Sequence, residues 1–237
     1  MKTNDTSILA VEKLTAGYGS HIVLEDVSFE LNKGEVLGII GQNGSGKSTL
    51  LKAMSGLIPI KGGYLIVNGK KKDGMISHRL LEIGISYFTQ GGLVMPALTV
   101  EEHLSLAHVQ NGRNHNYAEQ VYEELPRLFE LRKQRAGSLS GGERQMLSFG
   151  ILIAQNTNTW FLDEPTAGLS PQMAKTSIEF LLKKQEEGIS ILLVEHNMEV
   201  VFALAKHVMI AKEKTLTKKF NKVEFNSSDF TNKYIYN

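Results

Sequence analysis

Short apolar runs alternate with segments of helical periodicity along most of the chain. This alternation is typical of an α/β core with a largely parallel sheet, in which the apolar runs are buried strands. The runs that meet this description are Val36–Ile40, Ile83–Phe88, Thr159–Leu162, Ile189–Val194 and His207–Ala211. We therefore predict a parallel core sheet built from these segments.

The first third of the chain differs, because its strand candidates are joined by turns such as Asn68-Gly69. Strands joined by tight turns pair antiparallel. The candidates are Leu9–Leu14, His21–Leu31 and Gly63–Asn68. They predict an antiparallel sheet that flanks the α/β core.

Between about residues 98 and 137 the pattern becomes helical. Thr99 can cap a helix with Glu102 three residues later, which is the spacing of a capping box. A second helix is predicted from about Asn116 to Glu124, and Pro126 opens a short third one.

The composition is that of an ordinary globular protein, with 42% hydrophobic and 22% charged residues. A chain of 237 residues can form one large domain or a domain with an inserted lobe. Twenty-six basic and 25 acidic residues give a net charge of +1, which argues against nucleic acid or another polyanion as a partner. There is no cysteine, so disulfides and thiol chemistry are excluded.

Membrane and targeting segments are not evident in the sequence. The stretch from Met1 to Glu12 lacks the apolar core of a signal peptide. No stretch approaches the roughly 20 apolar residues that cross a bilayer. We therefore expect a cytoplasmic protein that reaches a membrane only through a partner.

The stretch Gly41-Gln42-Asn43-Gly44-Ser45-Gly46-Lys47-Ser48-Thr49 fits a phosphate-binding P-loop in full. It follows the strand Val36–Ile40 and precedes a predicted helix, Leu50–Ser55, that Gly56 can end. The glycines let backbone N–H groups turn towards an anion, and the new helix adds its positive end. Lys47 would meet the outer phosphates and the Ser48 hydroxyl would ligate Mg²⁺. A glycine-rich turn without a ligand is the alternative, and the Lys-Ser-Thr ending argues against it.

Two further motifs lie far downstream. Leu139-Ser140-Gly141-Gly142-Glu143-Arg144-Gln145 precedes a helix predicted from Met146 to Ala154, and Trp160-Phe161-Leu162-Asp163-Glu164-Pro165 follows. With the P-loop, in this order and at these separations, they make the chain resemble the ATP-binding cassette (ABC) family. The resemblance covers nearly the whole chain and thins after about residue 212.

The resemblance implies a P-loop NTPase (RecA-like) core with a flanking antiparallel β subdomain and an inserted α-helical subdomain. It implies a single domain over residues 1–237. In this division, residues 1–90 and 150–212 form the core with its β subdomain. Residues 91–149 form a helical lobe that carries the signature, and residues 213–237 form a tail. The tail is either a packed C-terminal helix or a partner contact.

The resemblance also implies roles for single residues in binding and hydrolysing ATP with Mg²⁺. Tyr18 would stack on adenine, although a buried core tyrosine is the alternative. The P-loop residues that would bind the nucleotide are Gly41, Asn43, Gly44, Ser45, Gly46, Lys47, Ser48 and Thr49. Asp163 ends a predicted strand beside the P-loop, where its carboxylate could join Ser48 and Gln90 around the metal.

Glu164, next in the chain, would orient or deprotonate the attacking water. The Asp-Glu pair could instead cap the following helix. Gln90 follows a strand and resembles the glutamine that bonds the metal shell and the water. His196 closes another strand and resembles the histidine that bonds the γ-phosphate. With Lys47, these residues complete the predicted catalytic set.

Ser140, Gly141 and Gly142 would supply a second anion site ahead of their helix. In ABC proteins this corner binds the γ-phosphate held by the opposing protomer, so the resemblance implies a head-to-tail dimer. An ordinary serine-capped helix is the alternative. Ser170 departs from the family, where many relatives carry Asp, and it could also cap a helix opened by Pro171.

The leading hypothesis is the energy-coupling ATPase of a membrane transporter. Its partners would be a second cassette, identical or different, and transmembrane permease subunits on the cytoplasmic face of the inner membrane. The segment Gly91–Glu102 resembles the surface that receives the permease; its Leu93, Val94, Met95 and Leu98 could instead be lobe core. The stretch from Glu195–Val201 through Val208-Met209-Ile210 resembles the cassettes of branched-chain amino acid importers and of lipopolysaccharide exporters, and Gly168–Pro171 fits the importers too. Branched-chain amino acids or another small polar solute would be the substrate. The alternatives are a soluble iron–sulfur assembly scaffold and, disfavoured by the charge, a nucleic-acid-repair or translation cassette.

Overall fold

The computed structural model describes residues 6–72, 79–92, 94–109, 117–227 and 230. Its strands are β1 (Ser7–Tyr18), β2 (His21–Asn32), β3 (Val36–Ile40), β4 (Ile60–Val67), β5 (Lys70–Lys72), β6 (Ile85–Phe88), β7 (Thr159–Asp163), β8 (Ser190–Val194), β9 (His207–Lys212), β10 (Thr215–Leu216) and β11 (Phe220–Asn221). Its helices are α1 (Lys47–Met54), α2 (Val100–Val109), α3 (Tyr117–Glu124), α4 (Pro126–Glu130), α5 (Gly141–Gln155), α6 (Pro171–Glu186), α7 (Met198–Leu204) and α8 (Lys222–Phe225). Among these helices, none has the length and apolar character needed to cross a membrane.

The core sheet runs in the order β6, β7, β8, β3, β9, and these neighbours pair in parallel. β10 and β11 both pair antiparallel with β9. Strands β3, β7 and β8 are buried at every position, as expected for a sheet covered on both faces. Because the strands are parallel, their carboxyl ends meet at one edge, and that edge carries the site.

A second sheet, in the order β2, β1, β4, β5, is antiparallel throughout. Its apolar face packs with α1 and with part of the core sheet in a single buried cluster. The predicted fold class, with its parallel core and antiparallel flank, is confirmed. The division of the chain into residue ranges stays a prediction.

The helical lobe is formed by α2, α3 and α4 packed on α5, and these helices share their own apolar cluster. The capping box predicted at the start of α2 is present, since Thr99 N–H donates to Glu102 at 2.7 Å and Glu102 N–H donates to the Thr99 hydroxyl at 3.2 Å. Gly150 of α5 has no room for a Cβ, which would lie 2.8 Å from Leu128 and 3.0 Å from Val121. The close contact of α5 with α3 and α4 therefore explains why a glycine occupies this position.

Several predicted boundaries shift. The strand predicted from Ile83 begins at Ile85, because a 3₁₀ turn occupies Leu81–Ile83 and Gly84 follows it at φ 83°. The helix predicted from Met146 begins at Gly141, because the capping box between Ser140 and Glu143 starts it five residues earlier. The helix predicted from Asn116 is described from Tyr117, since Asn116 lies outside the described residues.

The described part of the tail is packed against the core sheet rather than extended from it. Phe220, Phe225 and Phe230 are buried with residues of α7 and β9. Within the described residues the tail contains the short strands β10 and β11 and the single helical turn α8. The alternatives left open by the sequence were a packed helix and a partner contact, and the described part is packed on the core. Tyr234 and Tyr236 lie outside the described residues.

One buried carboxylate connects the tail to the core. Glu35 is 4% exposed and accepts hydrogen bonds from Asn32 N–H (2.9 Å), from Lys219 Nζ (3.2 Å) and from His207 Nδ1 (2.6 Å). Burial by itself raises the pKa of Glu35, but the Asn32, Lys219 and His207 interactions outweigh it and the pKa lies below its ordinary value of 4.5. A carboxyl with a depressed pKa stabilises the fold above its ordinary pKa, and this contribution is lost as pH falls through the folded value.

We predict that Glu35→Gln lowers the free energy of unfolding by about 1–3 kcal/mol at neutral pH, because charge-assisted bonds become neutral ones. The stability difference between variant and parent should shrink as pH falls below 4.5, because Glu35 of the unfolded parent is then protonated and Glu35 of the folded parent loses its charge at a lower pH. Urea unfolding at neutral and acidic pH measures both effects. Glu25→Gln, at an exposed position, is the control. A stability difference that stays constant through the acid range would contradict the role of the Glu35 charge.

Candidate active site

The loop between β3 and α1 depends on glycine at three positions. Gly44 and Gly46 have φ of 82° and 97°, and Gly41 has φ of 151°. A Cβ on Gly41 would lie 2.6 Å from the Ala211 carbonyl oxygen and 2.8 Å from Ser45 Oγ. These dihedrals and close contacts are open only to glycine. The loop ends at the first turn of α1, whose N–H groups lack partners within the helix and can bind an anion.

Lys47 lies across this loop. Its ammonium donates to the carbonyl oxygens of Gly41 (2.8 Å) and Gln42 (2.9 Å), and the residue is 5% exposed. Burial lowers the pKa of Lys47, while the nearby carboxylates of Glu164, Asp163 and Glu195 oppose that shift. An ammonium has three N–H donors, so the two carbonyls leave one for a further acceptor.

Asp163 ends β7 beside the start of α1. Ser48 Oγ donates to Asp163 Oδ1 at 2.9 Å, and the Tyr87 hydroxyl donates to Asp163 Oδ2 at 3.2 Å. Burial raises the pKa of Asp163, and the bonds from Ser48 and Tyr87 act against that rise. A hydroxyl and a carboxylate oxygen side by side are the hard ligands that Mg²⁺ prefers. The residues present therefore fit this metal.

Tyr87 was not predicted as a site residue. It lies in an apolar run and reads as core, yet its hydroxyl reaches the carboxylate of Asp163. Burial raises the pKa of Tyr87, as does the negative charge of Asp163, so the phenol remains a donor. The residue type could have indicated this contact, because a buried tyrosine hydroxyl needs a hydrogen-bond partner.

Glu164 lies between the two side chains predicted to act with it. Gln90 Nε2 donates to Glu164 Oε2 at 2.8 Å, and His196 Nδ1 lies 3.5 Å from Glu164 Oε1. Gln90, Glu164 and His196 follow the neighbouring strands β6, β7 and β8, which explains how the fold gathers them. Glu164 has φ of 49°, a strained conformation for a residue other than glycine and common at functional sites.

Tyr18 ends β1 at the turn that leads into β2 and is 48% exposed. This exposure excludes the buried-core alternative and leaves an aromatic face open to a ligand. Lys61 Nζ donates to the carbonyl oxygen of the next residue, Gly19, at 2.5 Å, so the turn is tied to β4.

Ser140, Gly141 and Gly142 lie apart from these groups, at the start of α5 in the helical lobe. Ser140 Oγ accepts from Glu143 N–H at 3.3 Å, and Ser140 N–H donates to Glu143 Oε2 at 3.0 Å. The helix is therefore serine-capped, as the alternative expected, and the second anion site at these residues stays a prediction. Arg127 pairs with Glu143 at 3.0 Å. The backbone N–H and hydroxyl bonds from Ser140, with the Arg127 contact, hold the pKa of Glu143 below its usual range.

Ser170 also caps a helix, since its hydroxyl accepts from Met173 N–H at 3.4 Å and Pro171 opens α6. In the segment after Gln90, Val94 packs into the cluster of the helical lobe, whereas Met95 is 50% exposed. Leu93 lies outside the described residues. The segment thus contributes both to lobe core and to surface.

Two cavities border these elements. One of about 320 Å³ lies beside the phosphate loop, between residues 41–45 and residues 210–213. The other, of about 690 Å³, lies against α2 in the helical lobe and is lined by Leu98, Thr99, Glu101, Glu102, Ser105, Leu106 and Lys133.

Comparison with known proteins decides the family. Residues 24–167 match the sequence model of the family described as ABC transporter. The chain belongs to the ABC transporter family. It is an ATP-binding protein of this family and an ATPase, and the predicted recognition and enzyme class are confirmed.

The similar proteins include curated transport proteins. A probable branched-chain amino acid transport ATP-binding protein, LivF of Archaeoglobus fulgidus, is 37% identical over 195 residues, 81% of this chain and 83% of its own. The high-affinity branched-chain amino acid transport ATP-binding protein BraG of Pseudomonas aeruginosa is 34% identical, over 86% of this chain and 88% of its own. The arginine transport ATP-binding protein ArtM of Bacillus subtilis is 30% identical, over 92% and 93%.

Solved structures agree on the fold. A nucleotide-free ATP-binding cassette from an ABC transporter has a TM-score of 0.84 and 25% identity, with 95% of this chain and 97% of that chain covered. An ABC transporter cassette in its ADP conformation has a TM-score of 0.82 and 26% identity, over 92% of each chain.

We predict that Gly41→Ala in this ABC protein weakens ATP binding at least about tenfold, because the added Cβ would lie 2.6 Å from the Ala211 carbonyl oxygen and force the loop to move. Gly62→Ala is the control, since its Cβ would make only an ordinary contact of 3.4 Å with Thr15. Titration with a fluorescent ATP analogue measures both affinities. Equal affinity in Gly41→Ala and the parent would contradict the assignment of this loop to phosphate binding.

Proposed function

We propose that this protein is the energy-coupling ATPase of an ABC importer and that Lys47, Asp163, Glu164, Gln90 and His196 carry out its hydrolysis. The observation that carries the proposal is the placement of Glu164. Its carboxylate contacts Gln90 and approaches His196, beside the pair formed by Ser48 and Asp163. Phosphoryl transfer to water depends mostly on positioning and on charge stabilisation, and this edge of the sheet supplies both.

Each residue has a role that its environment supports. Lys47 donates its third N–H to a phosphate oxygen and balances negative charge there. Glu164 accepts the proton of the attacking water, which Gln90 holds in line. His196 donates to the γ-phosphate from the other side. Ser48, Asp163 and Gln90 would hold Mg²⁺, which when bound neutralises charge on the phosphates.

The rest of the nucleotide would bind along the loop and the β1–β2 turn. The exposed ring of Tyr18 stacks on adenine, a contact worth roughly 1–3 kcal/mol for a base on an aromatic ring. The loop amides from Gly41 to Thr49 bind the phosphates. Ser140, Gly141 and Gly142 would bind the γ-phosphate of a second cassette, so the active form is a head-to-tail dimer with an identical or a related chain.

The membrane partner would bind the surface of the helical lobe around α2. The cavity there has apolar walls from Leu98 and Leu106 and charged walls from Glu101, Glu102 and Lys133. Leu106 is 44% exposed and lines the same cavity as Leu98, so the two leucines give the surface an apolar part for a partner to cover. We assign this surface to a cytoplasmic segment of permease subunits, which would place the protein on the cytoplasmic face of the inner membrane.

The transported solute is assigned by similarity alone. The names of LivF and BraG refer to branched-chain amino acids and that of ArtM to arginine. A small polar solute of the amino-acid class is the substrate that these relatives support. Transport proteins among the relatives also favour this function over an assembly scaffold or a nucleic-acid cassette.

We predict that Glu164→Gln binds ATP but lowers kcat at least about 100-fold, because the amide cannot accept the water proton. Dimers should accumulate when ATP is present. Steady-state turnover, ATP titration and light scattering measure the three properties. Glu186→Gln, an exposed carboxylate on α6, is the control. Turnover of Glu164→Gln at the parent rate would show that another group is the base.

We predict that a tagged parent chain purified in detergent brings down a protein with several membrane-spanning helices. Leu106→Asp should reduce this co-purification strongly because it places a charge in the apolar wall, whereas ATP affinity should stay unchanged. Leu57→Asp is the matched control, since Leu57 is 51% exposed outside this cavity. Recovery of the parent without any membrane protein would favour the scaffold alternative.

A further inference from the structure

The carboxylate of Glu195 is completely buried, at 0% exposure, directly after β8. Its Oε1 accepts a hydrogen bond from the Thr166 hydroxyl. Its Oε2 accepts from the backbone N–H groups of His196 (2.9 Å) and Asn197 (3.1 Å). Burying a carboxylate is costly unless its oxygens are hydrogen-bonded, and here donors from two separate loops satisfy them.

These two loops carry the groups proposed to act on the γ-phosphate. Thr166 lies two residues after Glu164, in a turn closed by a bond from Ala167 N–H to the Glu164 carbonyl oxygen at 3.1 Å. On the other side, Glu195 bonds the N–H groups of His196 and Asn197, where Asn197 caps α7. Glu195 therefore links the turn that follows Glu164, the proposed base, to the segment that begins with His196.

The geometry of Glu164 requires such a link. Its φ of 49° is strained, and strain of this kind persists only where neighbouring contacts hold it. Glu164 N–H donates to the carbonyl oxygen of Val194, the last residue of β8, at 2.9 Å. This bond extends the pairing of β7 with β8 by one residue. After the ends of these strands, the hydrogen bond from Thr166 to Glu195 links the two chain segments again. In this arrangement His196 Nδ1 lies 3.5 Å from Glu164 Oε1.

We propose that Glu195 is a positioning residue for ATP hydrolysis, which through Thr166 and the His196 backbone holds Glu164 and His196 at their working separation. The proposal rests on the roles of Glu164 and His196 given under Proposed function. Glu195 does not itself touch the substrate, because it is fully buried and its oxygens are occupied. It acts on kcat through geometry.

Thr166→Val tests the link by removing only the hydroxyl. We expect kcat to fall about tenfold, since displacing a reacting group by a fraction of an ångström costs up to about 100-fold. The KM for ATP should change less than about twofold, because the phosphate loop is untouched. Thr166→Ser, which keeps the hydroxyl, should restore most of the rate.

Thr157→Val is the matched control. Thr157 and Thr166 are both 7% exposed, and the Thr157 hydroxyl shares a 2.7 Å hydrogen bond with Ser86. Thr157 precedes β7, at the opposite end of the strand from Asp163. Its substitution should lower thermal stability to a similar extent while leaving kcat unchanged. An equal fall of kcat in both valine variants would overturn the proposal, since loss of stability would then explain it.

Substitutions of Glu195 provide the second arm. In Glu195→Gln the amide oxygen can accept from the backbone N–H groups and the amide nitrogen can donate to Thr166, so kcat should stay near the parent value. In Glu195→Ala, kcat should fall at least as far as in Thr166→Val. The double variant Glu195→Ala/Thr166→Val should have the same kcat as Glu195→Ala alone. Additive losses in the double variant would contradict action through a shared bond.

Glu164→Gln separates this proposal from the one on which it rests. If Glu164→Gln is inactive while Thr166→Val turns over like the parent, the positioning role is wrong and the assignment of the base stands. If Glu164→Gln is active, the assignment of the base fails and so does this inference. ATP affinity near the parent value in each variant shows that the protein has folded.

Discussion

The site depends on the hydrogen bond from Ser48 Oγ to Asp163 Oδ1, which joins residues 115 positions apart at 2.9 Å. Ser48 lies in the first turn of α1, after β3, and Asp163 ends β7. In the core sheet β8 lies between these two strands, so the bond passes over the carboxyl end of β8. His196, which follows β8, lies 3.5 Å from Glu164 Oε1 with its side chain 52% exposed. The parallel order of three strands therefore brings the proposed catalytic groups to one edge of the sheet.

Three carboxylates at this edge surround the ammonium of Lys47. Lys47 is the buried ammonium, and Asp163, Glu164 and Glu195 contribute the surrounding negative potential. The carbonyl oxygens of Gly41 and Gln42 each accept one N–H of Lys47. In the proposed function a phosphate oxygen accepts the third N–H, and because this acceptor is charged it forms the stronger hydrogen bond. The loop thus keeps its ammonium oriented without filling the phosphate position with a side chain.

The grouping of the site residues could be predicted from sequence, because functional side chains in α/β proteins follow the carboxyl ends of the strands. Polar residues that directly follow apolar runs must meet at one edge of a parallel sheet, and Gln90, Asp163 and His196 all follow this rule. The roles of Tyr87 and Glu195 could not be found in this way. Tyr87 reads as core, and Glu195 precedes the more conspicuous His196, so only their three-dimensional partners reveal them.

Predicted element boundaries were wrong where a local interaction outweighed the intrinsic preference of the residues. The start of α5 was predicted at Met146, but Gly141 and Gly142 occupy its first turn, because the capping box between Ser140 and Glu143 outweighs the low helix propensity of glycine. The structure of the tail was left open at the level of sequence. Its structure depends on packing of Phe220, Phe225 and Phe230 against β9, and residue spacing in a short polar segment does not encode such contacts.

The start of α5 also explains how one serine can serve both the chain and a partner. Ser140 Oγ accepts from Glu143 N–H and donates its own hydrogen to Glu143 Oε2 at 2.9 Å. Only the second of these bonds uses the hydroxyl hydrogen, so redirecting it to a phosphate leaves the accepting bond of the cap in place. Arg127 remains paired with Glu143 after that change and offsets the charge that the serine releases. In the proposed dimer, the helix would thus stay capped while its serine binds the neighbouring nucleotide.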